Sequence, residues 1–158
     1  MERGLVCVSM AYCVYFLAWT FCLYWIHRIV HRTPYIKKWH YDHHTFIVKN
    51  GSPSWKWNNI FLYNDTWLST LDLYVTEVIP TLVFSLITGQ WWISIFYYVW
   101  AAFLQEALEH NNKVDFPLIT TGKWHLTHHY QPNKNYGLFF PIWDIIFKTE
   151  YKEKYEQS

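Results

Sequence analysis

The stretch HRIVHRTPYIKKWHYDHH, residues 27–44, carries five of the nine histidines of the chain. His27 and His31 stand four residues apart, and His40, His43 and His44 follow an HxxHH spacing. On an α-helix, residues at i, i+3 and i+4 share one face, so the pair and the trio each present their imidazoles to one side. The same HxxHH spacing returns at His125, His128 and His129, and His110 closes the segment Glu106-Ala107-Leu108-Glu109-His110. No histidine falls outside these four groups. A transition-metal ion gathers several ligands at about 2 Å, so such side chains must converge on one spot. Nine imidazoles are too many for one ion and suit two neighbouring ions, each with ligands of its own. Glu106, one helical turn before His110, is a candidate tenth ligand or an acceptor that orients an imidazole. Asp42 and Glu109 either orient ligands by hydrogen bonding or are solvated charges.

Immediately before this stretch, Leu5 to Ile26 runs for 22 residues without a charge. At about 1.5 Å per residue that length spans the roughly 30 Å hydrocarbon core of a bilayer. His27, Arg28, His31 and Arg32 follow at once where a signal peptide would place small residues for cleavage, so a retained span over residues 5–26 is expected. Arg28 and Arg32 read as anchors on its cytoplasmic side. Cys7, Cys13 and Cys22 all lie in this run, in no metal or redox spacing, and read as small apolar fillers.

After the second histidine group, residues 45–65 include Gly51-Ser52-Pro53 and Trp55-Lys56-Trp57, and read as a loop or interfacial segment. From Val78 to Leu104 the chain is uncharged but is interrupted by Pro80 and by Gly89-Gln90. It is either one long broken span or a hairpin with arms at 67–87 and 91–110 and its tip at Gly89-Gln90. The ligand groups decide between these. All four must meet on one side of the membrane, so the chain between His44 and His110 crosses an even number of times. The hairpin follows, and Asp72 and Glu77 in its first arm must sit near the interface or face the protein interior. The expected fold is all-α and integral to the membrane, a single domain with about three spans. Residues 27–66 and 111–151 form a helical cap that holds the di-metal site. Lys and Arg follow the first span and the hairpin but are absent from the hairpin tip, which puts the cap on the cytoplasmic side. The tail from Lys148 to Ser158 is polar and is expected to fray.

A net charge of +1 gives no basis for nucleic-acid binding, while 11 Trp, 13 Tyr and 11 Phe suit a protein at a membrane interface. There is no CxxCH and no GxGxxG, so no haem or flavin is expected in this chain.

The histidine groups, in this order, resemble the fatty acid hydroxylase/sterol desaturase superfamily. Tyr24-Trp25-Ile26-His27-Arg28 with His31-Arg32-Thr33-Pro34 looks like its first box, and His110-Asn111 resembles its isolated histidine with asparagine. Asn135-Tyr136-Gly137, Pro141-Ile142-Trp143-Asp144 and Phe147-Lys148-Thr149-Glu150-Tyr151 resemble its C-terminal signature. Three departures stand out. The chain is shorter than many members, Glu106 stands where several have another histidine, and Lys148 replaces a common glycine.

The resemblance implies O2-dependent oxidation of a lipid C–H bond at two iron ions, with zinc as a stand-in in isolated protein. A membrane electron-transfer partner drawing on a reduced nicotinamide would supply the electrons. No catalytic residue is expected apart from the ligands. Asn111, Asn135, Tyr136 and Asp144 would buttress the site, although an aspartate-capped turn also accounts for Asp144. Gly137 is expected to supply a turn conformation that glycine favours. In a eukaryote the endoplasmic reticulum membrane is the expected location. The alternative is a non-catalytic membrane zinc scaffold or regulatory homologue, because imidazole accepts zinc as readily as iron.

Overall fold

The computed structural model describes residues 2–51, 54–116 and 118–152, with side chains from residue 10 onward. Among these residues every regular element is helical. Helix α1 is Glu2–Val30 and α2 is Pro34–Asn50. A 3-10 turn, Trp57–Phe61, leads to α3, one continuous helix made of Trp67–Leu73, a π-helical turn Tyr74–Val78 and Ile79–Thr88. Helix α4 is built alike, from Trp91–Val99, a π-helical turn Trp100–Leu104 and Gln105–Leu108. Two short helices complete the chain, α5 (Lys123–Tyr130) and α6 (Ile142–Ile146).

Among the described residues, Met10–Val30 and Trp67–Thr88 are the two helices long and apolar enough to cross a membrane. Helices α3 and α4 meet at a tight turn. Gly89 turns the chain at φ +71, a left-handed conformation that costs glycine little. Helices α3 and α4 then run antiparallel, with Ser94 Oγ donating to Ser85 Oγ (2.7 Å) and Tyr97 O–H to Glu77 Oε2 (3.2 Å). The second arm returns His110 to the end where His44 lies, although α4 is two residues shorter than the expected arm. Pro80 causes no break, because the preceding π-helical turn leaves its ring room within a continuous α3.

Apolar side chains are exposed along the hairpin, while several polar and acidic ones are buried beside the apolar core. Leu86, Ile87 and Ile95 are exposed, while Asp72, Glu77, Thr81 and Ser85 are buried. Asp72 and Glu77 thus face the interior. Trp19, Leu23, Leu73, Ile93 and Trp100 form the core, together with Leu138 and Phe139 from the segment that follows α5. Trp19 Nε1–H donates to Thr81 Oγ1 (3.0 Å) and ties α1 to α3.

Several expectations need correction. Residues 45–50 are the last turns of α2, not loop, because Pro34 at its start and Gly51 at its end set the helix limits. Cys13 and Cys22 lie exposed on α1 and fill nothing. The side chain of Cys7 falls outside the described residues, as do Ser52, Pro53 and 153–158 of the tail.

Candidate metal centre

Eight of the nine histidines are buried and His43 is half-buried. They fall into two groups, each able to hold a metal ion. His27, His31, His40, His44 and His128 form one; His43, His110, His125 and His129 form the other. Within each group the ligand nitrogens all lie within 4.8 Å of one another. The groups adjoin, with His44 stacked on His129 at 4.3 Å between ring centres.

The division corrects a simple reading of HxxHH as three imidazoles aimed one way. In α2, His40 and His44 serve the first group and His43 the second; in α5, His125 and His129 serve the second and His128 the first. Helical geometry accounts for this. Residues at i and i+4 are rotated about 40° apart and converge, whereas i+3 and i+4 are about 100° apart and diverge. Each HxxHH therefore contributes to both groups.

Hydrogen bonds aim the rings. His27 Nδ1–H donates to the Tyr136 carbonyl (2.8 Å), His128 Nδ1–H to the Lys134 carbonyl (2.6 Å), and His40 Nδ1–H to Asp72 Oδ2 (2.8 Å). A neutral imidazole with its proton on Nδ1 carries a lone pair on Nε2. His27 Nε2 and His40 Nε2 nevertheless face each other at 3.1 Å, with no proton to share. His40 and His44 meet at 3.0 Å, His31 and His128 at 3.0 Å, His110 and His129 at 3.1 Å, and His125 and His129 at 3.0 Å, all between Nε2 atoms. Converging lone pairs fit a shared cation. Two donors about 2.1 Å from one ion are about 3.0 Å apart at a right angle and about 3.4 Å apart at the tetrahedral angle. These five pairs have the right-angle spacing, and the other pairs within each group lie within 4.8 Å.

Burial, followed by the neighbouring imidazoles, holds His40, His44, His125, His128 and His129 well below the usual histidine pKa. The rings stay neutral, which is the form that binds metal. The apolar and carboxylate side of the site closes over a cavity of about 30 Å³, bordered by His43, His110, His125, Glu77, Glu106 and Glu109.

The expected supporting residues divide. The Tyr136 ring lies 5.8 Å from His27 and 5.7 Å from His128, so Tyr136 touches the site with its ring as well as its carbonyl. Asp144 accepts the main-chain N–H of Tyr136 and of Gly137 (both 2.8 Å) and the Thr149 hydroxyl (2.7 Å), so it holds the turn that aims His27. Asn135 joins α5 to the C-terminal segment, donating to the Trp124 carbonyl (3.1 Å) and accepting from Tyr151 N–H (2.7 Å). The other three have local work. Asp42 accepts from Thr66 Oγ1, whose own oxygen caps α3. Glu109 accepts from Trp100 Nε1 (3.2 Å) and Gln105 Nε2 (3.0 Å). Asn111 bonds within its own turn, to the Ala107 carbonyl and Lys113 N–H. None of these three orients an imidazole through those bonds, because nearer donors on their own or the adjoining helix take their oxygens.

Gly137 is not in the left-handed region. It is small because a Cβ there would lie 2.6 Å from the Phe140 carbonyl and 2.9 Å from Asp144 Oδ2. The left-handed residues of this signature are Asn135 and Lys148, at φ +56 and +55. A glycine in place of Lys148 would adopt that conformation without the steric cost.

Asp72 and the Lys134 carbonyl are the contributors that the spacing of the histidines does not announce. An acidic residue in an otherwise apolar arm was the available signal for Asp72. A main-chain carbonyl leaves none.

The family model for fatty acid hydroxylases matches residues 12–149 and so takes in all nine histidines. The chain belongs to the fatty acid hydroxylase family. Among characterised relatives, it is 30% identical over 132 residues to a Delta(7)-sterol 5(6)-desaturase, erg3B, of Aspergillus fumigatus, covering 83% of this chain and 36% of the desaturase. It is 27% identical over 159 residues to methylsterol monooxygenase 1-2 of Arabidopsis thaliana (92% of this chain, 48% of the relative). It is 28% identical over 153 residues to the very-long-chain aldehyde decarbonylase GL1-6 of Oryza sativa subsp. indica (87% and 23%). The chain thus spans less than half the length of each of these relatives. No solved structure matches it.

Proposed function

We propose that this fatty acid hydroxylase family chain oxidises a membrane lipid, a fatty acyl chain or a sterol, by hydroxylation or desaturation with O2. Two iron ions would be held by His27, His31, His40, His44 and His128 and by His43, His110, His125 and His129. The observation that carries this reading is the pair of buried, neutral histidine groups whose Nε2 atoms face one another at 3.0–3.1 Å. The relatives support the lipid class, since two are named for sterol oxidation and one for a very-long-chain aldehyde.

Bound at this site, the metal would supply the O2 activation and C–H cleavage that ordinary side chains cannot perform. The chain itself does the positioning. Asp72 and the carbonyls of Tyr136 and Lys134 lock three rings by their Nδ1–H, so their Nε2 atoms point inward before any ion arrives. Burial keeps bulk water away. Leu73 and Leu138 give the cavity an apolar wall, and the reacting carbon would approach along it from the bilayer. The cap lies on the cytoplasmic side in this reading, within reach of an external electron-transfer protein drawing on NAD(P)H. The endoplasmic reticulum membrane is the location in a eukaryotic cell.

The first group offers five imidazoles, one more than a closed tetrahedral zinc site takes. The test is metal content and O2-dependent turnover of the membrane-purified protein, with lipid extracts compared by mass spectrometry with and without its expression. Two irons per chain and a lipid gaining one oxygen or losing two hydrogens are expected. Two zinc ions that iron cannot replace, with unchanged lipids, would overturn the proposal.

A further inference from the structure

The two histidine groups are unequal, five against four. The inequality follows a pattern. The first group consists of two i, i+4 pairs, His27 with His31 and His40 with His44, plus His128 contributed by the helix of the other group. The second has one such pair, His125 with His129, plus His43 contributed by the helix of the first group, and His110, which has no histidine four residues from it in the sequence. The residue four positions before His110, one turn earlier on α4, is Glu106. The helical bonding continues through this turn, with Glu109 N–H donating to the Gln105 carbonyl (2.8 Å).

Glu106 is 7% exposed, and its Oε2 is buried without a hydrogen-bond partner. It lines the same cavity as His43, His110 and His125. The two carboxylates beside it are engaged, Glu109 with Trp100 and Gln105, and Glu77 with Tyr97. Lys56, the cation whose charge Glu106 feels, is itself joined to Asp65 at 2.8 Å. A buried carboxyl oxygen left without a donor is costly unless the group takes up a proton or meets a cation.

We propose that Glu106 is the fifth donor to the ion held by His43, His110, His125 and His129. This rests on the di-metal reading above and deepens it. Each ion then has two i, i+4 pairs and one crossing histidine. One set is all imidazole and the other includes a hard, anionic oxygen, so the two ions differ in charge environment.

The experiment loads purified wild-type, Glu106→Ala and Glu106→His proteins with ferrous iron without oxygen, then washes with graded chelator and counts iron per chain. Wild type is expected to keep two ions. Glu106→Ala keeps one and releases the other at chelator concentrations at least about 100-fold lower, exceeding the roughly 10–100-fold cost of losing a mere orienting partner. Glu106→His, which restores a donor, keeps two. Glu106→Ala holding both ions as tightly as wild type would overturn the assignment. So would equal iron loss from both variants, which is what a purely structural role gives. Fewer than two ions in the wild type would take down the di-metal reading itself, and this inference with it.

Discussion

Asp72 on α3 and His40 on α2 meet at 2.8 Å, carboxylate oxygen to Nδ1, with both side chains buried. The bond fixes the ring tautomer and makes its Nε2 a better donor. His40 is also the ring whose Nε2 faces both His27 and His44. Asp72 is therefore a positioning residue at the centre of the first group. Asp72→Asn is expected to weaken retention of the first ion about 10–100-fold while sparing the second. Chelator competition followed by metal counting checks it, and loss of both ions alike would contradict the assignment.

His128 and His125 are three residues apart but belong to different groups. His128→Ala and His125→Ala should each abolish turnover and each release one ion, and not the same one. Membrane insertion should persist, since the spanning helices are untouched. Iron counting with spectroscopy of the ion left behind distinguishes the two variants. Identical residual spectra would mean that the two histidines share one ion.

Gly137 and Gly89 offer a contrast. A Cβ at Gly137 meets the Phe140 carbonyl and Asp144 at under 3 Å, whereas one at Gly89 meets nothing within 4 Å. Gly137→Ala should cost about 1–3 kcal/mol and also loosen the first ion, because the displaced turn carries the carbonyl that aims His27. Gly89→Ala, strained only by its φ of +71, should cost about 1–2 kcal/mol with metal binding unchanged. Thermal unfolding and metal titration of both variants test the pair, and unchanged metal affinity in Gly137→Ala would refute the role of the turn.

The buried histidines also set a pH dependence. His40, His44, His125, His128 and His129 have folded-state pKa values well below the ordinary 6.5. Below about pH 6.5 the unfolded chain binds protons that the folded chain refuses, so stability falls with pH at about 1.4 kcal/mol per unit for each such ring. Above that value these groups contribute no slope. Metal-free protein in detergent should lose melting temperature as pH falls from about 6.5 toward 5. A flat profile throughout would mean that the rings are accessible to protons.

Much of this was legible in the order of residues. Metal ligands must lie at helical offsets, so His27/His31 and the two HxxHH groups announced both their helices and their convergence. The expectation of a hairpin rested on that convergence and on Gly89-Gln90, where the chain does turn. The partition of each HxxHH between two groups was not legible, because spacing gives rotation about an axis and not the position of the facing helix. Asp72 lies 32 residues from His40, so their pairing depends on how α2 packs on α3. The Tyr136 and Lys134 carbonyls are main-chain atoms that any residue supplies. Asp42 offered either an orienting bond or a solvated charge and Asn111 came from the family resemblance; the bonds they make are to Thr66 and within the turn after α4.

The crossing of histidines between α2 and α5 has a consequence for biosynthesis. His31 and His128 touch across 97 residues of chain, and neither group is complete without α5. A ribosome that has released residues only as far as Trp124 offers four of the five histidines of the first group and two of the four of the second. By then both arms of the hairpin have been made. In the proposed reading, both metal sites stay open until α5 has been made, so metal loading follows synthesis of the hairpin.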